Sequence, residues 1–322
     1  MARTIVGVLR GGASSEYDLS LKTGATMLNA LPESDYDVRD IFIDKQGYWH
    51  SRGVPTDASR ALAQIDVVLN GLHGGAGEDG TLQRILERSG IPYAGSDAPG
   101  SALSLNKIQA GMILKNAGIL MPHAVGFTAS SEMDSTDMGR FVFSRFGPPY
   151  IVKPGNEGAS HGIRLVATIV ELPDAIADII EAFGSALVEE YVVGEEASVG
   201  VIEDFRGEEL YGLPPAHIVY PEDATFLHFE HHLHGEVSHM VPSDFSDIEK
   251  RALIDAARAA HRALGLSDFS RTDFIVTHRG PYLLEVNALP GLHEHAAMPA
   301  MLESVGSSVK EFLTHAIRLA RR

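Results

Sequence analysis

The 322-residue chain contains no cysteine, which excludes a disulfide framework and a thiolate metal site. Basic residues are few as well: 26 Lys and Arg stand against 43 Asp and Glu, a formal charge of −17. That sign argues against wrapping a nucleic acid, and any anionic substrate has to meet a local basic pocket. No apolar run approaches the ~20 residues that span a bilayer, so a membrane is not an expected partner. The opening MARTIVGVLRGG places one basic residue, Arg3, before a strand-like pattern begins. No signal peptide is read there, and the cytoplasm is the default expectation. What is present, 44% hydrophobic and 21% charged residues, is the profile of a globular enzyme too long for one ordinary core. Two or three domains are expected.

Short apolar runs alternate with helical periodicity. TIVGVL (4–9) and IDVVLNGL (65–72) read as strands, LSLKTGATMLNAL (19–31) as a helix, and TLQRILERSG (81–90) as a helix stopped by Gly90. Strands alternating with helices imply parallel β-α-β units. The stretch YAGSDAPGS (93–101) marks a first boundary. A second α/β unit follows, with a helix over 102–117, a strand near 123–128, a helix over 136–146, strands YIVKP and RLVAT, and a helix over 171–183. A third segment opens near 185 with ALVEEYVVG, enters a long helix after the capping box Ser246-x-x-Glu249, and closes with a hairpin and a terminal helix.

The hairpin SRTDFIVTHRGPYLLEVNAL carries the most chemistry. With its turn centred on Arg279, Asp273 lies opposite Glu285 and Arg271 opposite Asn287. Side chains two apart on a strand share a face, so these four point one way and Phe274, Val276, Leu284 and Val286 the other. Two carboxylates and an amide oxygen on rigid strands suit a hard cation such as Mg2+. The alternative is a charged solvent face in which Arg271 is a salt-bridge partner.

Lysine placement favours the metal. Lys153 interrupts the apolar strand PPYIVKPG, where an ammonium is costly unless it meets an anion. The loop GNEGASHG that follows has backbone amides suited to phosphates, although no GxxxxGK[ST] motif occurs. Earlier, GLHGGAGEDGTLQ puts His73, Glu78 and Asp79 in a strand-to-helix turn, where open α/β sheets bind ligands. The bland reading of that turn is a helix N-cap through Asp79.

Taken in order, GGASSEYDLSLKTG, LHGGAGEDGTLQ, SLNKIQAG, YIVKPGNEGASHG, LVEEYVVGEE, SRTDFIV and LLEVNALPGL resemble the ATP-grasp superfamily, and within it the D-alanine–D-alanine ligase family. The resemblance runs from end to end. It implies an α/β three-domain ATP-grasp architecture: an N-terminal open parallel α/β domain over 1–98, a central α+β domain over 99–184, and a C-terminal α+β domain over 185–322 with a lid loop at 222–242. It also implies ATP and two Mg2+ ions, with Mn2+ as a substitute, and a homodimer acting on amino acids. Lys107 and Lys153 would hold phosphates, with Ser160 added to the nucleotide set. Glu189, Glu190, Tyr191 and Val192 would take the adenine and Glu196 the ribose. Asp273, Glu285 and Asn287 would bind the ions. Glu16 and His73 would border the amino-acid site, with Glu16 toward the first substrate's ammonium. Arg271 and the backbone at Gly291 would stabilise an oxyanion. The implied reaction activates one amino acid as an acyl phosphate, attacked by the amine of a second; D-alanine in both places leads, for peptidoglycan synthesis.

Departures cluster at the substrates. The family carries serines where Ala159 and Ala296 stand, and its mobile loop has a lysine and a tyrosine where His232 and Leu233 fall. These keep two alternatives open: a related ligase with a different second substrate, or a nucleotide-binding regulatory protein without turnover. The stretch HFEHHLHGEVSH (228–239) is read as the lid, with His232 facing phosphate, against a metal site using His228, His231, His232 and His234, or a solvated loop.

Overall fold

A computed structural model describes residues 3–158, 161–219 and 237–322. Ala159, Ser160, His228, His231, His232, Leu233 and His234 lie outside the described residues, as does most of the 222–242 lid. Among the described residues, no helix is long and apolar enough to cross a membrane.

Strands β1 (Thr4–Gly11), β2 (Tyr36–Ile43), β3 (Trp49–Ser51), β4 (Val54–Thr56) and β5 (Val67–Asn70) form a sheet in the order β4-β3-β2-β1-β5. β1 runs parallel to β2 and to β5. Burial on both faces explains the unbroken apolar runs of β1 and β5. Val6, Val8, Val67 and Leu69 join one core with Phe312 and Ile317 of the terminal helix Val309–Ala320. Leu9 and Val68 join another with Leu82 and Leu86 of helix Thr81–Ser89. That helix ends as expected on Gly90, whose φ of 66° is left-handed. The chain leaves β1 toward helix Tyr17–Ala30 and β5 toward helix Thr81–Ser89, so two loops meet at the carboxyl ends of neighbouring parallel strands.

The second sheet is β6 (Ala124–Thr128), β7 (Tyr150–Pro154), β8 (Arg164–Val166) and β9 (Ser185–Glu190), ordered β6-β9-β7-β8. All its pairings are antiparallel, so alternation of helix and strand here does not signal parallel units. β9 runs between β6 and β7, and the chain changes sheet between Glu190 and Glu195 rather than at 184/185. The expected helix over 102–117 is two, Ala98–Leu105 and Lys107–Asn116. Asn106 breaks it: its side chain accepts the Gln109 N–H at 3.0 Å, and it sits at φ −82°, ψ 89°. Lys107 thereby becomes the first residue of a helix, with its own N–H on Gly155 O at 2.9 Å.

The third sheet contains β10 (Glu195–Phe205), β11 (Glu208–Gly212), β12 (Ala216–Val219), β13 (Ser238–Met240), β14 (Phe269–Thr277) and β15 (Gly280–Asn287), in the order β13-β12-β10-β14-β15 with β11 also on β10. Helix Asp247–Ala263 covers one face, started by the expected capping box of Ser246 and Glu249. Its Leu253, Ala257 and Ala260 pack on Phe274, Val276, Leu283 and Val286.

Asp273 does pair with Glu285, and Arg271 with Asn287, but the turn is not centred on Arg279. Thr277 pairs with Gly280 and Phe274 with Leu283, so His278 and Arg279 form a two-residue turn and Leu284 is the extra residue of a bulge. The bulge restores the register at the carboxylates. It also exchanges two leucines: Leu283 is fully buried under the helix, while Leu284 faces the opposite cavity. Leu283→Ala is therefore expected to cost about 2–5 kcal/mol in denaturant unfolding, as for other fully buried leucines. Leu284→Ala should cost clearly less; the reverse order of stabilities contradicts this register.

Candidate active site

The open face of the third sheet, the rim of the second and the loops above β1 and β5 enclose a cavity of about 270 Å³. Its floor is the hairpin. Arg271 lies along Asp273, with Nε to Oδ1 at 2.9 Å and Nη2 to Oδ2 at 2.8 Å. The Ser198 hydroxyl, directly across on β10, donates to Asp273 as well. Asn287 Nδ2 lies 3.1 Å from Asp273 Oδ2 and 3.5 Å from Glu285 Oε1, so the three candidate ion ligands converge.

Cations are matched to these oxygens. Lys107 Nζ is 2.8 Å from Glu285 Oε2 and donates to Glu157 O at 2.8 Å. Burial disfavours the ammonium, but Glu285 outweighs it and lifts its pKa above the ordinary value. Burial likewise opposes the Glu285 carboxylate, yet Lys107 and Lys153 hold it well below the usual range. Lys153 meets its anion in the next strand, with Nζ to Glu189 Oε2 at 2.7 Å.

Beside this lattice, Ile151, Ile275 and Leu284 form an apolar slot. The segment after β9 crosses it, pinned where Glu190 N–H meets His123 O at 2.9 Å and Tyr191 N–H meets Pro149 O at 3.1 Å. An apolar slot ending in buried lysines suits a nucleotide, base first.

The amino-terminal loops close the other end. Ser14 donates to His73 O at 2.5 Å, and His73 Nδ1 is 3.4 Å from Glu78 Oε1. Glu16 is 6% exposed, and its Oε1 has no hydrogen-bond partner among the described residues. Burial first, then Glu78 and Glu285, push its carboxyl up to about 8. Asp79, in contrast, accepts the Thr81 N–H at 2.8 Å, the plain role of ordering a helix start.

Two family models match the chain and take in most of this site: "D-ala D-ala ligase C-terminus" over residues 113–318 and "D-ala D-ala ligase N-terminus" over 50–96. The chain belongs to the D-alanine–D-alanine ligase family. A D-alanine–D-alanine ligase of Geobacter sulfurreducens is 36% identical over 92% of this chain and 87% of its own. One from Anaeromyxobacter sp. strain K is 34% identical over 94% and 92%. Among solved structures, the VanG D-Ala:D-Ser ligase of Enterococcus faecalis superposes with a TM-score of 0.85 at 27% identity, covering 99% of this chain and 100% of that one. The Bacillus anthracis D-alanine–D-alanine ligase complexed with ATP gives 0.80 at 26% identity, over 98% and 97%.

Of the family positions expected from the sequence, Glu16, His73, Lys153, Glu189, Glu190, Tyr191, Val192, Glu196, Arg271, Asp273, Glu285, Asn287 and Gly291 all line the one cavity. Lys107 stands behind the wall, reaching it through Glu285. His239, from the histidine stretch, is on β13 and also lines it. Sequence reasoning missed Ser198 and also Thr23, whose Oγ1 lies 2.8 Å from His73 Nε2. Ser198 had a usable signal, a hydroxyl in an otherwise apolar strand run; Thr23 only repeats the polar side of an ordinary helix.

Glu16 generates a pH prediction. A carboxyl at about 8 in the folded chain, against an ordinary 4.5, keeps a proton that the unfolded chain has lost. The folded state therefore binds more protons between these values, and stability falls as pH rises through that window. Glu16→Gln removes this loss: its melting temperature should match wild type near pH 4.5 and exceed it increasingly toward pH 8. Parallel melting profiles for both proteins would contradict the assignment.

Proposed function

We propose that this family member joins two molecules of D-alanine at the expense of ATP, giving D-alanyl-D-alanine, ADP and phosphate for peptidoglycan synthesis. The observation that carries this reading is the convergence of Asp273, Glu285 and Asn287 beside Lys107, Lys153 and Arg271, at the junction of the apolar slot and the Glu16 wall. An oxygen-only donor set of two carboxylates and an amide fits Mg2+. Those three residues would hold it, and the metal would supply charge neutralisation for phosphoryl transfer. The cytoplasmic location and the homodimer belong to the same proposal.

The chain's own groups divide the work. Adenine enters between Ile151, Ile275 and Leu284, with Glu189 to Val192 at its edge and Glu196 at the ribose. Lys107 and Lys153 take the phosphates, exchanging Glu285 and Glu189 for them, since phosphoryl transfer needs little beyond positioning and charge. Glu16 meets the ammonium of the first D-alanine with the oxygen that now has no partner. The first D-alanine's carboxylate oxygen would attack the γ-phosphorus of ATP, with ADP leaving. The second D-alanine, its ammonium having lost a proton, would then attack the acyl carbon through its amine, and phosphate would leave. Arg271 and the amide at Gly291 meet the oxyanion of that displacement, a preorganised role worth about 3–4 kcal/mol per donor.

One observation favours a variant of this reading in the second substrate. Ala296 lines the cavity with His293 and His295, and it caps helix Ala297–Ser304 without a side-chain hydrogen bond. The second carboxylate then has imidazoles rather than a hydroxyl near it. Phosphate release with D-alanine, D-serine and D-lactate as second substrates separates the two: fastest turnover with D-alanine alone supports the first, and preference for another supports the variant.

Asp273→Ala and Glu285→Ala should abolish turnover while circular dichroism stays native. Arg271→Ala should lower kcat by about 10²–10³ with little change in ATP affinity, because its target exists only during acyl transfer. Wild-type turnover in either carboxylate variant at ordinary Mg2+ removes the hairpin assignment. Ala296→Ser should lower the KM for the second substrate by a few-fold to roughly tenfold, the worth of one neutral hydrogen bond. The same substitution adds an N-cap and should raise the melting temperature, so stability and KM are read separately.

A further inference from the structure

Glu16, His73 and Glu78 form one wall of the cavity, and the same side chains have the composition of a metal site. One ligand atom from each lies within 4.8 Å of the other two. His73 Nε2 is 2.8 Å from Thr23 Oγ1, which also accepts the Leu292 N–H at 3.4 Å. The tautomer with its proton on Nε2 donates to Thr23 and leaves the Nδ1 lone pair facing Glu78, 3.4 Å away. A histidine that ligates a metal is held this way, its other nitrogen anchored to a fixed acceptor. Glu78 is anchored too, its Oε1 accepting the Gly74 N–H at 3.0 Å.

The Glu16 oxygen supplies the second, independent observation. It is buried, has no hydrogen-bond partner among the described residues, and belongs to the carboxyl that Glu16 brings to this cluster. Glycines keep the space beside it clear: a Cβ at Gly158 would stand 2.6 Å from Oε1, and one at Gly74 3.0 Å. A cation entering this cleared space would displace the Glu16 proton and meet two carboxylates and an imidazole lone pair.

We propose that Glu16, His73 and Glu78 bind a divalent transition ion, with Zn2+ as the type, at a site separate from Asp273, Glu285 and Asn287. The imidazole selects the class: nitrogen with carboxylate oxygens suits Zn2+, Co2+ or Mn2+, while Mg2+ prefers oxygen alone. Bond lengths of ~2.0–2.2 Å require the ligand atoms to draw in by about an ångström, which rotation of the carboxylate arms supplies. An ion here occupies the position proposed for the first substrate's ammonium. That consequence rests on the reading of Glu16 given above; the metal site itself does not. Transition metal would thus inhibit the ligase in competition with its amino acid.

Chelator-treated full-length protein titrated with Co2+, followed by its visible d–d absorption, tests the site. A single equivalent should bind in wild type and in Asp273→Ala with the same spectrum. His73→Asn should abolish that spectrum, and Glu78→Gln should weaken binding at least tenfold; Glu78→Gln decides the matter if the histidine variant does not fold. D-alanine with ADP should displace the ion. Binding unchanged in both variants, or lost only in Asp273→Ala, overturns the site. No binding together with normal D-alanine turnover overturns it while leaving the ligase reading intact. Binding that requires His73 but resists D-alanine upholds the site and counts against Glu16 as the ammonium's partner.

Discussion

Glu285 holds two places at once. It is a candidate ion ligand on β15 and also the counter-ion of Lys107, whose ammonium lies 2.8 Å away at the start of a helix from another part of the fold. Burying a lone ammonium costs several kcal/mol, and Glu285, helped by Glu189 and Glu16, more than offsets that cost for Lys107. Arg271 pairs likewise with Asp273, and Lys153 with Glu189. Each group proposed to handle phosphate or oxyanion is thus stored against a carboxylate of the same site. In the proposed reaction nucleotide and metal would bring charges of opposite sign, and the pairs would exchange partners with little change in net charge.

This storage sets where the sheets must lie. Lys107 and Lys153 come from the helix and strands around the second sheet, and Glu285 and Asp273 from the third. The core shared by β1, β5 and the terminal helix fixes the first sheet's loops over the same hairpin, with Leu292 N–H on Thr23 as a direct tie. Glu16 ends up buried against the carboxylates because these three bodies converge. Its high pKa is a consequence of that convergence rather than of its own loop.

Much of this was legible in the sequence, because period-two alternation and turn residues are local signals. The hairpin face of Arg271, Asp273, Glu285 and Asn287 followed from alternation alone, and the capping box at Ser246 from four residues. The route through the hairpin was not legible. A two-residue turn and a compensating bulge at Leu284 yield the same carboxylate pairing as a centred turn, and the two differ only in which leucine is buried. The helix break at Asn106 hid behind continuous apolar periodicity, since one capping side chain decided it. Strand β9 read as the start of the third unit because its hydrophobic run carries no mark of its pairing partner. Ion-pair partners such as Lys153 and Glu189 join positions far apart in the chain, so residue types predicted that Lys153 needs an anion without saying which.

The partner exchange is the central claim, and a crystal structure with Mg2+ and a non-hydrolysable ATP analogue tests it most directly. Lys107 Nζ should leave Glu285 for a phosphate oxygen, with Glu285, Asp273 and the Asn287 oxygen turned to the ion and Arg271 released from Asp273. A bound analogue beside an unchanged 2.8 Å Lys107–Glu285 pair and an intact Arg271–Asp273 pair would contradict the account.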